Sequence, residues 1–139
     1  MTLCYLALGS NLGDRSRHLE QARAELGARG VRVLRASSVQ ETEPFGVKEQ
    51  PPFLNQVLEV DFEGTPRELL DAAKAVEAAV GRTETYRWGP REIDVDILLF
   101  DELTVAEEGL SIPHPGLAER EFVLAPLREL RPDLPDILG

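Results

Sequence analysis

At 139 residues, 42% of them hydrophobic and 29% charged, the chain has the composition of one globular domain with a single core. A formal net charge of −10 argues against a general nucleic-acid binder, whose surface must replace phosphate counterions, and no apolar run approaches the ~18–20 residues that cross a bilayer. Cys4 is the only cysteine, which excludes an internal disulfide or a cysteine zinc cluster; with no basic, apolar leader pattern at the start, a cytoplasmic protein is expected.

Leu3 to Leu8 is a short apolar run without proline, ended by Gly9-Ser10-Asn11, and reads as a buried strand and a turn. Asp14 is placed to cap a helix with Leu19, Ala22 and Leu26 at helical spacing, stopped by Gly27 and Gly30. Val31 to Val39 predicts a second strand, and Glu41 to Pro52, with three prolines and a glycine, a loop. Phe53 to Phe62 predicts a third strand, with Leu54, Leu58, Val60 and Phe62 on one face and Asn55, Val57, Glu59 and Asp61 on the other. Thr65-Pro66 opens a second helix, whose stripe is Leu69, Leu70, Ala73, Val76 and Val80 and whose end is Gly81. After a polar loop, Glu92 to Phe100 predicts a fourth strand. The proline-rich remainder carries only short helical pieces, Leu117 to Arg120 and Phe122 to Leu130.

The order βαββαβ plus a C-terminal tail predicts an α+β, ferredoxin-like sandwich: an antiparallel sheet with both helices on one face, as one domain over residues 1–139. Such a fold decides nothing about function by itself.

The most informative stretch is Ile93-Asp94-Val95-Asp96-Ile97. In a strand, Ile93, Val95 and Ile97 point into the core and the two aspartates emerge together on the other face, their α-carbons roughly 6.5–7 Å apart. Two carboxylates that close repel unless a cation sits between them, and hard oxygen donors suit Mg²⁺, which takes its other ligands from water and phosphate. For an isolated pair of this kind a solvated polar strand face is the commoner explanation. The neighbourhood adds Arg82, Arg87 and Arg91 within ten positions, planar donor forks matched to phosphate oxygens on an otherwise acidic chain. These arginines could also pair only with Glu84, Glu92 and the aspartates, as exposed ion pairs worth ~0–1 kcal/mol. Gly9 to Gly13 lacks the lysine of a phosphate-cradling loop and reads as a tight strand-to-helix turn. The two histidines, His18 and His114, form no zinc ligand set.

Arg87-Trp88-Gly89-Pro90-Arg91-Glu92-Ile93-Asp94-Val95-Asp96-Ile97-Leu98 resembles the signature of the 6-hydroxymethyl-7,8-dihydropterin pyrophosphokinases. Five further blocks agree in order: Leu8 to Gly13, Thr42 to Gly46, Phe53-Leu54-Asn55, Gly81-Arg82, and Ile112-Pro113-His114-Pro115 with Arg120 and Phe122. The resemblance implies diphosphate transfer from ATP to a pterin alcohol, with AMP released. It implies that Asp94 and Asp96 hold two Mg²⁺ ions, and that Arg82 and Arg91 steady the transferring group from a loop between Gly81 and Gly89. For the pterin it implies Thr42, Pro44, Phe45, Gly46, Phe53, Asn55, Trp88 and Phe122. For ATP it implies Lys74, Glu77, Arg82, Arg91, Ile97, Ser111, His114 and Arg120. The implied partners are these two small molecules, with no nucleic acid or membrane, on a monomer or weak homodimer. The chain departs from the family pattern at Glu84, often basic there, at Lys74, often glutamine, at Pro115, and at Phe53, which lacks a tyrosine hydroxyl.

Two other readings compete. A metabolite-sensing module would explain the fold but not the aspartates and arginines together. RNA binding on an open sheet is opposed by the acidic charge and by the lack of paired strand aromatics.

Overall fold

A computed structural model of the chain describes residues 2–42, 52–81, 92–115 and 121–132, without the side chains of Glu121 and Phe122. The elements are β1 (Leu3–Ser10), α1 (Arg15–Ala28), β2 (Arg32–Ala36), β3 (Gln40–Thr42), β4 (Phe53–Asp61), α2 (Pro66–Val80), β5 (Asp94–Phe100), β6 (Val105–Glu107), β7 (Leu110–Ile112) and α3 (Glu121–Leu130). Leaving out β3 and the elements after β5, the order is the expected βαββαβ. The main sheet runs β2-β4-β1-β5 with every pairing antiparallel, and β3 extends along β4 beyond β2.

The two long helices are framed by local chemistry that the sequence advertises. Asp14 accepts the Arg17 amide at 3.2 Å to start α1. Thr65 and Glu68 close a reciprocal capping box at the start of α2, and Gly81, at φ 111°, ends it in the left-handed conformation. Gly27 does not stop α1, which runs on to Ala28; the turn falls at Gly30, φ 81°. Both helices bury their apolar stripes against one face of the sheet, where Leu19, Ala22, Leu26, Leu69, Ala73 and Val76 meet Leu6, Leu8, Leu58, Val60, Val95 and Ile97.

Three expectations need correction. The second strand is split: the Ser37 amide still donates to the Val57 carbonyl at 2.8 Å, but the Val57 amide goes to the Ser37 hydroxyl at 2.9 Å while the Gln56 side chain donates to the Ser37 carbonyl. So β2 stops at Ala36 and the chain re-pairs as β3 at the start of the expected loop. Residues 105–112 form a hairpin turned at Gly109, φ 73°, where only irregular tail was expected. The tail also does more than trail behind the domain. Helix α3 packs Val123, Leu124, Leu127 and Leu130 onto Tyr5, Val57, Leu98 and Leu99, so the sheet is covered on both faces. The expected helical piece Leu117 to Arg120 lies outside the described residues. Among the described residues no helix is long and apolar enough to cross a membrane.

A polar latch built on the buried Tyr5 and Glu59 and the exposed Arg35 fastens the C-terminal end of α3. Tyr5, 1% exposed, donates its hydroxyl hydrogen to Glu59 Oε2. Arg35 grips both oxygens of Glu59 at 3.0 and 2.8 Å and also donates to the Leu130 carbonyl at 2.8 Å. The Arg131 guanidinium lies 5.4 Å from the Tyr5 ring centre. Hydrogen bonds from Arg35 hold the Glu59 carboxyl below its ordinary range in spite of burial, while burial and then the bond to Glu59 push the Tyr5 hydroxyl up to about 12. A depressed carboxylate pKa contributes stability above its unfolded value, and acid removes it. Glu59→Gln is therefore expected to lose roughly 1–3 kcal/mol at neutral pH. In denaturant melts the deficit shrinks as the pH drops below the ordinary carboxylate range; an undiminished deficit in acid contradicts the account.

Candidate active site

Strand β1 is central, and its register places small residues at one end. Gly9 stands opposite Asn55 of β4 on one side and Asp94 of β5 on the other; Ala7 likewise stands between Val57 and Asp96. Directly paired residues share a face, and Leu8, Val95 and Ile97 fill the core beneath α1 and α2. Asn55, Asp94 and Asp96 therefore emerge on the opposite face. There α3 covers the portion formed by Tyr5, Val57, Leu98 and Leu99. Two strand spacings, about 10 Å, separate the Asn55 row position from that of Asp94, with only glycine between them. A Cβ at Gly9 would approach Asn55 Oδ1 to 3.3 Å and the Phe53 ring to 3.4 Å. Gly9 thus lies within the strand as part of this floor, whereas the sequence assigned it to a turn; the tight turn falls at Gly13, φ 73°, against the His18 ring. His18 has a partner as well, with its Nδ1 3.3 Å from Ser10 Oγ.

On the β4 side the structure gathers three predicted pterin residues. Thr42 is the ladder partner of Phe53, and the Asn55 amide donates to the Thr42 hydroxyl oxygen. Asn55 is buried, while Phe53 and Thr42 are half-buried. Pro44, Phe45, Gly46 and Trp88, and the side chain of Phe122, lie outside the described residues.

On the β5 side Asp94 and Asp96 are half-buried and flank the buried Val95, the alternation expected from sequence. Within the main sheet β5 is an edge, paired with β1 alone. Its Val95 amide is taken by the Glu77 carboxylate of α2, Oε2 at 2.9 Å. Glu77 is 4% exposed, and its other oxygen lies 3.4 Å from Lys74 Nζ. Helical spacing predicts the Lys74–Glu77 contact; nothing local predicts the Val95 bond. A carboxylate anchored behind the strand fixes the backbone between the two aspartates in front of it. Two alternating carboxylates are a suitable partial donor set for Mg²⁺, and no cluster of three or more His, Cys, Asp or Glu side chains offers a fuller cage among the described residues.

Around the edge of β5, a cavity of about 290 Å³ opens between α2 and the β6–β7 hairpin. Lys74, Ile97, Ser111 and His114, all predicted for ATP, line it together with Asp96. His114 is pinned there by its amide, which donates to the Leu98 carbonyl at 3.1 Å. Glu77 is not in the lining; it sits behind the strand. Leu70, Gly109 and Leu110 also line the cavity and went unpredicted, although the alternation around Glu108-Gly109 is a hairpin signal. Arg82, Arg91 and Arg120 lie outside the described residues. A larger opening of about 490 Å³ lies at the other end of the sheet. It contains no predicted residue, and its Arg32 already pairs with Asp61 at 3.7 Å, so it is not the candidate site. Asp96, shared by the cavity and the sheet face, joins the two halves of the true candidate.

The model of the family described as 7,8-dihydro-6-hydroxymethylpterin-pyrophosphokinase (HPPK) matches residues 5–132. A Bacillus subtilis protein named 2-amino-4-hydroxy-6-hydroxymethyldihydropteridine pyrophosphokinase is 46% identical over 129 residues, 92% of this chain and 77% of that protein. Proteins of the same name from Methylorubrum extorquens and Aquifex aeolicus are 45% and 41% identical, each over 96% of this chain and over 85% and 83% of their own lengths. Among solved structures, a chain described as HPPK-DHPS in complex with substrates superposes with a TM-score of 0.74 at 14% identity. That match covers 95% of this chain but 40% of the longer one, and it establishes likeness of fold. With the family model spanning most of the chain and relatives at 41–46% identity agreeing, the chain belongs to the 7,8-dihydro-6-hydroxymethylpterin-pyrophosphokinase family.

Proposed function

We propose that the chain transfers diphosphate from MgATP to the hydroxymethyl group of 6-hydroxymethyl-7,8-dihydropterin, releasing AMP, in folate biosynthesis. The observation that carries this is the placement of Asp94 and Asp96. They stand one strand away from Gly9 and two from Asn55 on the sheet face, and Asp96 also lines the cavity at the edge. A pterin seated over Gly9 between Phe53 and Asn55, and a nucleotide seated between Lys74 and His114, meet at the aspartates.

In the transfer the alcohol oxygen forms a bond to the β-phosphorus. The bond from that phosphorus to the α–β bridging oxygen breaks, AMP departs with the electron pair, and the alcohol proton passes to water. Asp94 and Asp96 would hold magnesium, two ions in this reading, and the metal would supply neutralisation of the triphosphate charge. The chain itself contributes positioning. The Glu77–Val95 bond sets the strand bearing the aspartates, Asn55 and Thr42 read the pterin edge, and Ile97, Ser111 and His114 bound the nucleotide. By the family resemblance, Arg82 and Arg91 would steady the moving phosphates, Phe122 would stack on the pterin with Phe53, and Trp88 would help to seal it. The protein acts in the cytoplasm as one domain, a monomer or weak homodimer.

Asp94→Ala or Asp96→Ala is expected to lower AMP release by roughly 10²–10³ while the thermal unfolding transition is kept; unchanged turnover in a folded Asp96→Ala protein refutes the assignment. MgATP is expected to bind first and to raise pterin affinity: titration calorimetry should show tighter pterin binding once a non-hydrolysable MgATP analogue is bound, and equal affinity with and without it refutes that order. Glu77→Leu strands the Val95 amide and should destabilise the fold by about 1–3 kcal/mol. Glu77→Gln, which retains an acceptor oxygen, should recover most of that loss in the same melts.

A further inference from the structure

Arg15, in the first turn of α1, reaches across to the strands that carry the pterin-side residues. Its Nη1 donates to the Pro52 carbonyl at 2.8 Å and lies 3.1 Å from Glu41 Oε2. Pro52 immediately precedes Phe53 and Glu41 immediately precedes Thr42; Phe53 and Thr42 are direct partners in the β3–β4 ladder. One guanidinium therefore holds both chain segments at the point where they deliver Thr42 and Phe53.

The bond to Pro52 carries the greater weight. The Pro52 carbonyl and the Phe53 amide share one rigid peptide plane, so fixing the carbonyl fixes where the Phe53 nitrogen and α-carbon sit. The Phe53 ring lies over Gly9, 3.4 Å from where a Cβ would stand, so its direction decides how it covers that stretch of backbone. Arg15 is 29% exposed and Glu41 56%, so the ion pair itself is half in solvent and worth at most ~1 kcal/mol to the fold. The contact is too weak to hold the domain together, and it lies where small shifts of Phe53 and Thr42 matter.

We propose that Arg15 is a positioning residue for the pterin side of the site, setting the Phe53 peptide plane through Pro52 and the start of the ladder through Glu41. This rests on the reading that Thr42, Phe53 and Asn55 contact the pterin. Four variants test it, with pterin and MgATP affinities, KM values and melting temperature read for each. Arg15→Met should weaken pterin binding and raise the pterin KM roughly tenfold, the scale of one lost hydrogen bond from a charged group. MgATP affinity and melting temperature should stay near the parent values. Arg15→Lys, which still donates to Pro52, should recover most of the pterin affinity. Arg23→Met, which breaks a comparable α1–β4 link from Arg23 to Gln56 at 2.6 Å, should leave the pterin KM alone. Asn55→Ala tests the underlying reading and should lose pterin affinity. Wild-type pterin affinity in Asn55→Ala overturns the pocket assignment and the proposal with it. Loss in Asn55→Ala but not in Arg15→Met overturns the role of Arg15 alone, as does an Arg15→Met protein that loses pterin, MgATP and thermal stability together.

Discussion

The candidate site depends on one constraint in the central strand: the residue that separates Asn55 from Asp94 has no side chain. Gly9 pairs with both, and the contact distances to Asn55 and the Phe53 ring leave no room there for a Cβ without displacement. A glycine inside a strand costs conformational entropy and packs nothing, a loss of roughly 0.5–1 kcal/mol relative to alanine. Its use here is geometric. It lets the Asn55 side chain and the Phe53 ring lie close to the β1 backbone, with Asn55 on one side of it and Asp94 on the other. Ala7, the next residue on that face, continues the floor toward Asp96 before Tyr5 and α3 close it off.

The two faces of the sheet solve different problems. Beneath α1 and α2 the packing is aliphatic and continuous, and it supplies the stability. The other face is divided: α3 covers the apolar half, and the small and polar half forms the candidate site. Where buried polar groups occur they are partnered across elements. Glu59 joins Tyr5, Arg35 and through Arg35 the end of α3; Glu77 joins α2 to the edge strand. A carboxylate buried without such partners would be costly, so each of these two ties its element to a particular position. Glu77 does so directly behind the residues assigned to the metal.

Much of this was legible in the sequence, for identifiable reasons. Period-two alternation through Ile93 to Ile97 put the aspartates on a common face, and capping chemistry at Asp14, Thr65 and Gly81 marked the helix ends; both signals are local. The second covered face was not legible, because its apolar positions, Tyr5, Val57, Leu98 and Leu99, are spread over three strands and join only after pairing. Glu77 was assigned to the nucleotide by resemblance, but its bond to Val95 is a contact between distant segments that no spacing encodes. Gly9 stood in a matching block yet was read as part of a turn, since a glycine beside Ser-Asn carries the same local signal in a turn as at a strand end. Arg15 gave no signal at all, because a solvated helix face and a clamp on Pro52 are identical at the level of residue type.

The central claim is that this architecture brings a pterin alcohol to the β-phosphorus of a nucleotide held at Asp94 and Asp96. Supplying the protein with Mg²⁺, 6-hydroxymethyl-7,8-dihydropterin and ATP radiolabelled at the β-phosphate, then separating the products, tests it directly. The label is expected to move to the pterin while AMP forms in equal amount without it. Label retained in ADP, beside a pterin carrying a single phosphate, would contradict it.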